Sequence, residues 1–151
     1  MNNAGEKIIA TLNHLTSIAE DGKNGYEKAA QNADDVNMKD LFLRFGHQRT
    51  AYSQELRTLI KNMGGIAGSY NGIAGSIHRG WIDIKSAVLP ENTSAIIYSC
   101  AVGEAAAIRA YTEALNSEYI TGNIRSVISG QLSGIHAALK IITTYGWVAV
   151  V

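Results

Sequence analysis

Four long segments of the chain repeat apolar residues at every third or fourth position, which is the spacing of one face of an α-helix. We expect helices at about residues 5–31, 35–63, 92–117 and 123–145. No run of alternating apolar and polar residues competes with this pattern before the C-terminal end. The sequence therefore predicts an all-α protein that forms a single domain over residues 1–151.

The connections between these segments differ greatly in length. Short connections join the first helix to the second and the third to the fourth, so each pair is expected to form an antiparallel hairpin. The connection at 64–91 repeats GIAGS at 65–69 and 72–76 and predicts a short helix at 77–88. A connection of that length can span a whole helix, which leaves helices two and three parallel. The predicted fold is a ferritin-like four-helix bundle with one long crossover.

The inward stripes of these helices contain polar residues as well as apolar ones. Glu104 lies in line with Cys100 and Tyr111 on the third helix, and Gln131 lies on the stripe of the fourth. The stripe of the second helix is predicted to consist of Met38, Leu41, Phe45, Gln48, Tyr52, Leu56, Leu59 and Met63. We interpret Gln48, Glu104 and Gln131 as a buried polar layer that fixes helix register, with Tyr26, Tyr52 or Tyr111 as further donors to Glu104.

Four sequence stretches resemble a known family: EDGKNGYEKAA at 20–30, LFLRFGHQR at 41–49, IAGSIHRGWIDIKSA at 73–87 and CAVGEAAAIRAYTEAL at 100–115. The chain is similar to an uncharacterised bacterial family of ferritin-like four-helix-bundle proteins, catalogued as a domain of unknown function, over most of residues 5–117. The HRGW segment and the spacing of Cys100 from Glu104 are its most specific parts. The fourth helix and the C-terminal tail diverge from it. The resemblance implies the fold and leaves the biochemical role open.

A ferritin-like fold raises the question of a di-metal carboxylate site. Such a site takes a Glu from each of two helices and a Glu-x-x-His pair from each of the other two. At mid-height this sequence offers Glu104 as the only carboxylate, beside Gln48 and Gln131, with Glu20 on the flank of the first helix. The His positions after both glutamines are empty. These four residues are the candidates for a degenerate iron, manganese or zinc site, as the alternative to a purely structural layer.

Net charge and cysteine content exclude several classes of protein. Thirteen basic residues balance thirteen acidic ones, which argues against nucleic acid and membrane-surface partners. The single Cys100 excludes an internal disulfide, fits a reducing compartment and is expected to be a small core residue. The polar N-terminal residues do not form a signal peptide, so we expect a cytoplasmic protein. Trp81 is expected to pin the crossover to the bundle, and His78 with Arg79 could bind an anion.

The fourth helix and the tail after it carry too few charges for a solvated surface. Only Lys140 is charged between Ser126 and the terminal Val151. Polar residues break any run of about 20 apolar residues that a membrane span requires, so burial by another protein is expected instead. The candidate interface consists of Gly130 and Gly134 within the fourth helix, Tyr145 at its predicted end, and four residues of the apolar tail at 146–151. These four are Trp147, Val148, Val150 and Val151.

The sequence thus favours a non-catalytic protein that assembles with itself, as a homo-oligomer or a filament, through the fourth helix and the tail. It contains no Ser-His-Asp arrangement, phosphate-binding loop or dinucleotide fingerprint, and we assign no catalytic residue and no cofactor. Whether it is an enzyme stays open, and the balance favours that it is not. The alternatives are a metal-binding or redox protein centred on Glu104 and an adaptor whose tail binds another protein.

Overall fold

The computed structural model describes residues 3–68, Trp81 and 93–150, with the backbone alone at 93 and at 145–150. In these residues four helices and no strand are found: α1 at Asn3–Asn32, α2 at Val36–Asn62, α3 at Thr93–Leu115 and α4 at Gly122–Val150. The all-α prediction is confirmed. None of these helices is both long enough and apolar enough to pass through a lipid bilayer.

Local sequence signals account for both ends of α2. The Asp35 side chain accepts a hydrogen bond of 2.8 Å from the backbone N–H of Asn37, which caps the first turn of α2. Past the other end of α2, Gly64 adopts a φ of +78°, the left-handed conformation in which glycine carries no penalty. Both ends of α2 therefore lie where the sequence placed them.

The C-terminal end of α4 differs from the prediction. The helix continues through Val150, whereas the sequence predicted an end at 145 followed by a β-prone tail at 146–151. Gly146 is the only helix-destabilising residue there, and one glycine costs about 1 kcal/mol, which is too little to stop a long helix. The β-propensity of Trp147 and its neighbours takes effect only when a sheet is present to pack in, so it does not compete with helix formation here.

Side-chain contacts between the helices define their directions. α1 is antiparallel to α2, because Glu20 binds Arg57 while Tyr26 lies beside Gly46. α1 is also antiparallel to α3, because Lys7 meets Tyr119 near one end and Tyr26 bonds Glu104 further along. α2 and α3 are therefore parallel, and the connection between them has to span the bundle. The short helix expected at 77–88 lies outside the described residues, apart from Trp81, which is helical.

Trp81 is buried between α1 and α3, as expected for a residue that pins the connection. Its side chain is 5% exposed, and its ring centroid lies 5.1 Å from that of Tyr26. A Cβ atom at Gly25 or at Gly103 would overlap the indole ring. Two glycines inside helices, each normally unfavourable by up to about 1 kcal/mol, are thus explained by the space that one tryptophan needs.

α2 and α4 form the loosest of the four helix contacts. A groove of about 390 Å³ lies between them, lined by Tyr52, Glu55, Ser126, Val127, Gly130 and Gln131. Gly130 differs from the glycines around Trp81, because nothing lies within 4 Å of the place where its Cβ atom would be. The interior of the bundle is closed around Trp81, whereas the α2–α4 side is open at Gly130.

The two kinds of glycine predict opposite responses to alanine. Gly25→Ala is expected to destabilise the fold despite its higher helix propensity, because the new methyl group overlaps the ring of Trp81. Gly130→Ala is the matched control and should stabilise the monomer by up to about 1 kcal/mol, because its methyl group meets no described atom of its own chain. Urea denaturation measures both changes. Stabilisation by Gly25→Ala would contradict the packing described for Trp81.

Candidate functional site

Glu104 lies at the centre of the bundle on the inward face of α3. The residues one and two turns away on the same stripe, Cys100, Ala107 and Tyr111, are buried as the sequence predicted. The Glu104 side chain is itself fully buried. An isolated carboxylate in such a place is strongly unfavourable, so its partners decide whether the core is stable.

The main partner of Glu104 is Arg49 on α2, which is 1% exposed. The guanidinium binds both carboxylate oxygens: Nη1 donates to Oε1 at 2.5 Å, and Nη2 donates to Oε2. Its Nε donates to Oε1 of Gln48 at 3.1 Å. From α1, the hydroxyl of Tyr26 donates to Oε2 of Glu104 at 2.7 Å. Arg49, Glu104, Tyr26 and Gln48, here called the central network, join α1, α2 and α3.

Charge compensation explains why the central network is stable in a dry core. Burial alone would lower the pKa of Arg49, but the adjoining carboxylate of Glu104 raises that pKa above its ordinary value, so the guanidinium stays cationic. Burial, and then the carboxylate, raise the pKa of Tyr26 well above 10.0, so its hydroxyl keeps the proton that it donates. Bidentate, charge-assisted hydrogen bonds are the geometry in which a buried ion pair offsets its desolvation.

The surroundings of the pair are shaped for an arginine. A Cβ atom at Gly22 on α1 would lie 3.1 Å from Nη1 of Arg49, so a larger residue there would press on the guanidinium. The guanidinium carbon lies 5.5 Å from the ring centroid of Tyr26, within the range of a cation–π interaction. Tyr26 in turn contacts Trp81. The connection and the ion pair are therefore linked through one aromatic ring.

Gln131 on α4 belongs to a second cluster. The hydroxyl of Tyr111 donates to its Oε1 at 2.7 Å, and its Nε2 donates to Oε1 of Glu55 at 2.8 Å and to the backbone carbonyl of Tyr52 at 3.3 Å. The hydroxyl of Tyr52 fills the place where a Cβ atom of Gly134 would be. This cluster attaches α4 to α2 and α3.

The structure revises the predicted polar layer. Glu104, Gln48 and Gln131 all lie in the interior or at its edge, but the donors to Glu104 are Arg49 and Tyr26 rather than the two amides. Gln48 reaches Glu104 only through Arg49, and Gln131 bonds to other residues. Of the three candidate tyrosines, Tyr26 is the donor to Glu104; Tyr111 donates to Gln131 instead.

Arg49 is the residue that the sequence reasoning missed. The stripe assigned to α2 included Gln48 and Tyr52, which are only half-buried, and left Arg49 facing out. The buried positions are Met38, Phe42, Phe45, Gly46, Arg49, Ser53, Leu56, Leu59 and Ile60. The spacing of these buried positions fits a helix face as well as the predicted stripe does. Because apolar residues are preferred in a core, the sequence favoured the stripe that leaves out the charged Arg49. The signal that could have corrected it is Glu104, since a carboxylate on a core stripe requires a cation.

The metal candidates do not converge. Glu20 binds Arg57, on the part of α2 that follows Arg49, while both oxygens of Glu104 are bound by Arg49. Among the described residues, no three or more His, Cys, Asp or Glu side chains are grouped so that they could hold a metal ion. The donor set around Glu104 does not fit a metal ion in this arrangement. Metal binding there stays a prediction that metal analysis of the purified protein would test.

Removing both members of the ion pair should destabilise the fold by much less than the two single losses added together. Arg49→Met or Glu104→Gln alone is expected to destabilise the fold by about 3–5 kcal/mol, because the remaining charge is buried without compensation. The double variant should lose clearly less than the sum of the two single losses. Urea denaturation of the four proteins gives the coupling energy. The exposed Lys39→Met on α2 is the control, expected to change stability by under about 0.5 kcal/mol.

The thiol of Cys100 should be inert and should make stability depend on alkaline pH. Burial, and then the nearby Glu104 carboxylate, raise the pKa of this thiol well above 9.0. The thiol therefore loses its proton at a higher pH in the folded state than in the unfolded state. Its contribution to the free energy of unfolding is complete below pH 9 and is lost as the pH rises above that value. We expect a dithiobis-nitrobenzoate reagent to label Cys100 at pH 8 only when urea is added. Cys100→Ala should flatten the loss of stability above pH 9.

The central network lies wholly within a part of the chain that matches a known family. Residues 7–117 match DUF2383, a domain of unknown function. No curated protein sequence matches the chain. The matched range contains Tyr26, Arg49, Trp81 and Glu104 and stops before α4, which agrees with the divergence expected for the fourth helix. Since the match covers well over half of its length, the chain belongs to the DUF2383 family of domains of unknown function.

Proposed function

We propose that the protein is a ferritin-like bundle without a catalytic role, which assembles with further copies of itself through α4. Two antiparallel hairpins with α2 parallel to α3, and hence one long crossover, are the arrangement that ferritin-like bundles have. The central network supports a structural role, since both oxygens of Glu104 are already bound by Arg49. The interface is argued from the exposed side of α4.

The observation that carries the proposal is the chemistry of the outward side of α4. Its exposed positions on one stripe are small or apolar and uncharged: Ser126, Gly130, Ser133, Ala137, Ile141 and Thr144. Ile141 is 47% exposed. The whole helix carries two charged residues, Arg125 and Lys140, and no acidic one. A helix that faces only solvent normally carries charges on that side, so this stripe fits contact with protein.

Gly130 gives the strongest local support for this contact. Gly22, Gly25, Gly103 and Gly134 each leave room for a large side chain of the same chain, namely Arg49, Trp81 or Tyr52. At Gly130 nothing of the described chain fills the space, although the residue lies in mid-helix, where glycine is unfavourable by about 1 kcal/mol. Close approach of a second helix is the usual compensation for such a glycine.

The opposite side of the bundle is already covered by the chain itself. Trp81 fills the space between α1 and α3, and the Asn13 side chain on α1 bonds the backbone of Ile66 and Gly68 after α2. The described start of the connection, through Gly68, and its Trp81 therefore both lie against α1. In the described part of the chain, the α2–α4 side has no such cover at Gly130, which leaves it available to another molecule.

Light scattering over a dilution series tests the proposal, and Gly130→Leu locates the contact. We expect the unmodified protein to form a species larger than 16.2 kDa that Gly130→Leu dissociates, because leucine fills the space that a neighbouring helix needs. Its monomer should be at least as stable as the unmodified one, since leucine favours the helix and a Cβ atom at this position meets no described atom of its own chain. The control is Thr112→Leu, a leucine at an exposed position on α3. A monomer at every concentration would contradict the proposal.

Of the remaining interface candidates, Gly134 faces Tyr52 of its own chain, and the others belong to the end of α4 and beyond it. Tyr145, Trp147, Val148 and Val150 continue the helix, while Val151 lies outside the described residues. In the same dilution series, a chain ending at Thr144 separates the two uses of this segment. Weaker self-association supports its place in the homomeric contact, whereas an unchanged oligomer supports the adaptor alternative.

A further inference from the structure

We propose that two copies pack their α2–α4 faces together about a two-fold axis perpendicular to the helices. The α2–α4 face comprises the groove between these helices, the exposed stripe of α4 from Ser126 to Thr144 and the exposed edge of α2 from Arg44 to Glu55. In this arrangement α4 lies antiparallel to α4 of the second copy, and α2 antiparallel to α2. The inference rests on the proposed self-association and adds its geometry.

The edge of α2 on this face carries one charge of each sign. Arg44 and Glu55 are eleven residues apart, which is close to three full turns, so both lie on the same side of the helix. Between them that side presents the uncharged residues Gln48 and Ala51. Arg44 has an ion pair at 3.3 Å with Asp40 one turn away, and both side chains are largely exposed. Such a surface pair is weak and leaves the guanidinium available to a partner.

Hydrogen bonds between the helices set the height of these charges along α4. Glu55 lies level with Gln131, to which it is bonded. Since α2 and α4 are antiparallel, Arg44 lies eleven residues further along α4, near residue 142. The point midway between these heights is near residue 136. The stripe of small and apolar residues on α4 from Ser126 to Thr144, with Lys140 at its edge, has its centre at residue 135, so the two centres differ by only about 2 Å along the helix.

A two-fold axis at this height makes the face complementary to itself. It brings Arg44 of each copy opposite Glu55 of the other, so two intermolecular ion pairs form on either side of the axis. The same operation lays the stripe of one α4 against that of the other, with Ala137 next to the axis and Gly130 opposite Ile141 of the second copy. A contact of this kind is isologous, in which the same surface serves both copies and the assembly closes.

The charges also argue against the other two-fold arrangement of these faces. An axis parallel to the helices would lay α2 of one copy over α4 of the other at the same height. Arg44 would then face Lys140, because both lie near the same level of the bundle. Two cations would meet and both glutamates would lack a partner. The perpendicular axis avoids this repulsion and pairs every charge on the α2 edge.

Charge reversal and its compensation test the geometry. Arg44→Glu and Glu55→Arg should each raise the dissociation constant at least tenfold, because like charges then meet across the axis. The double variant Arg44→Glu/Glu55→Arg should restore it to within about threefold of the unmodified protein, since the pairs form again with signs exchanged. Sedimentation over a concentration series measures all four. The matched control is Lys23→Glu, which disrupts the exposed ion pair between Lys23 and Glu27 on α1.

The outcomes distinguish this inference from the proposed function. If the unmodified protein associates and Gly130→Leu dissociates it, but neither reversal weakens it, self-association stands and the two-fold geometry is overturned. The same holds if both reversals weaken association and the double variant does not restore it. A protein that is monomeric throughout overturns both proposals. Because Glu55 also bonds Gln131, urea denaturation of each variant establishes that the fold is intact, and Arg44→Glu tests the contact without touching that bond.

Discussion

The fold of this chain depends on one buried ion pair, Arg49 with Glu104. The pair limits how the helices can pack and thereby selects one register for them. A fully desolvated carboxylate and guanidinium are tolerated only when every donor and acceptor is matched, so helices α1, α2 and α3 have a single register in which Tyr26, Arg49 and Glu104 meet. Apolar stripes alone would allow one helix to slide against another. The ion pair removes that freedom at the centre of the bundle.

Packing around the pair places three large side chains against four glycines of neighbouring helices. The glycines at positions 22, 25, 103 and 134 are the places where Arg49, Trp81 and Tyr52 enter a neighbouring helix. Each contact places a large side chain close to the backbone of a neighbouring helix. At these four positions glycine is therefore a sign of interpenetrating helices and not of flexible ones.

Sequence reasoning predicted the elements of the fold better than the partners inside it. Periodicity predicts the number of helices and the inward stripes of α1 and α3, because burial of apolar residues is local and repetitive. It also predicts the helix ends to within two residues, except at the end of α4. The identity of the partner of Glu104 does not follow, since it depends on which of two adjacent residues, Gln48 or Arg49, turns inward. A shift of one position rotates a helix by about 100°, and that rotation is set by the neighbouring helices, not by the segment itself. The end of α4 and the role of Gly130 lie beyond periodicity for the same reason.

The placement of the central network also bears on the order in which the protein can form during synthesis. All of its members, and Trp81, lie before α4 in the chain, within residues matched by the family. A growing polypeptide can thus complete its charged centre and seat the tryptophan before the last helix has left the ribosome. α4 then adds through Gln131, and its outward stripe of small and apolar residues reaches the surface as the final step. A chain built in this order presents that stripe only once the interior beneath it is already fixed.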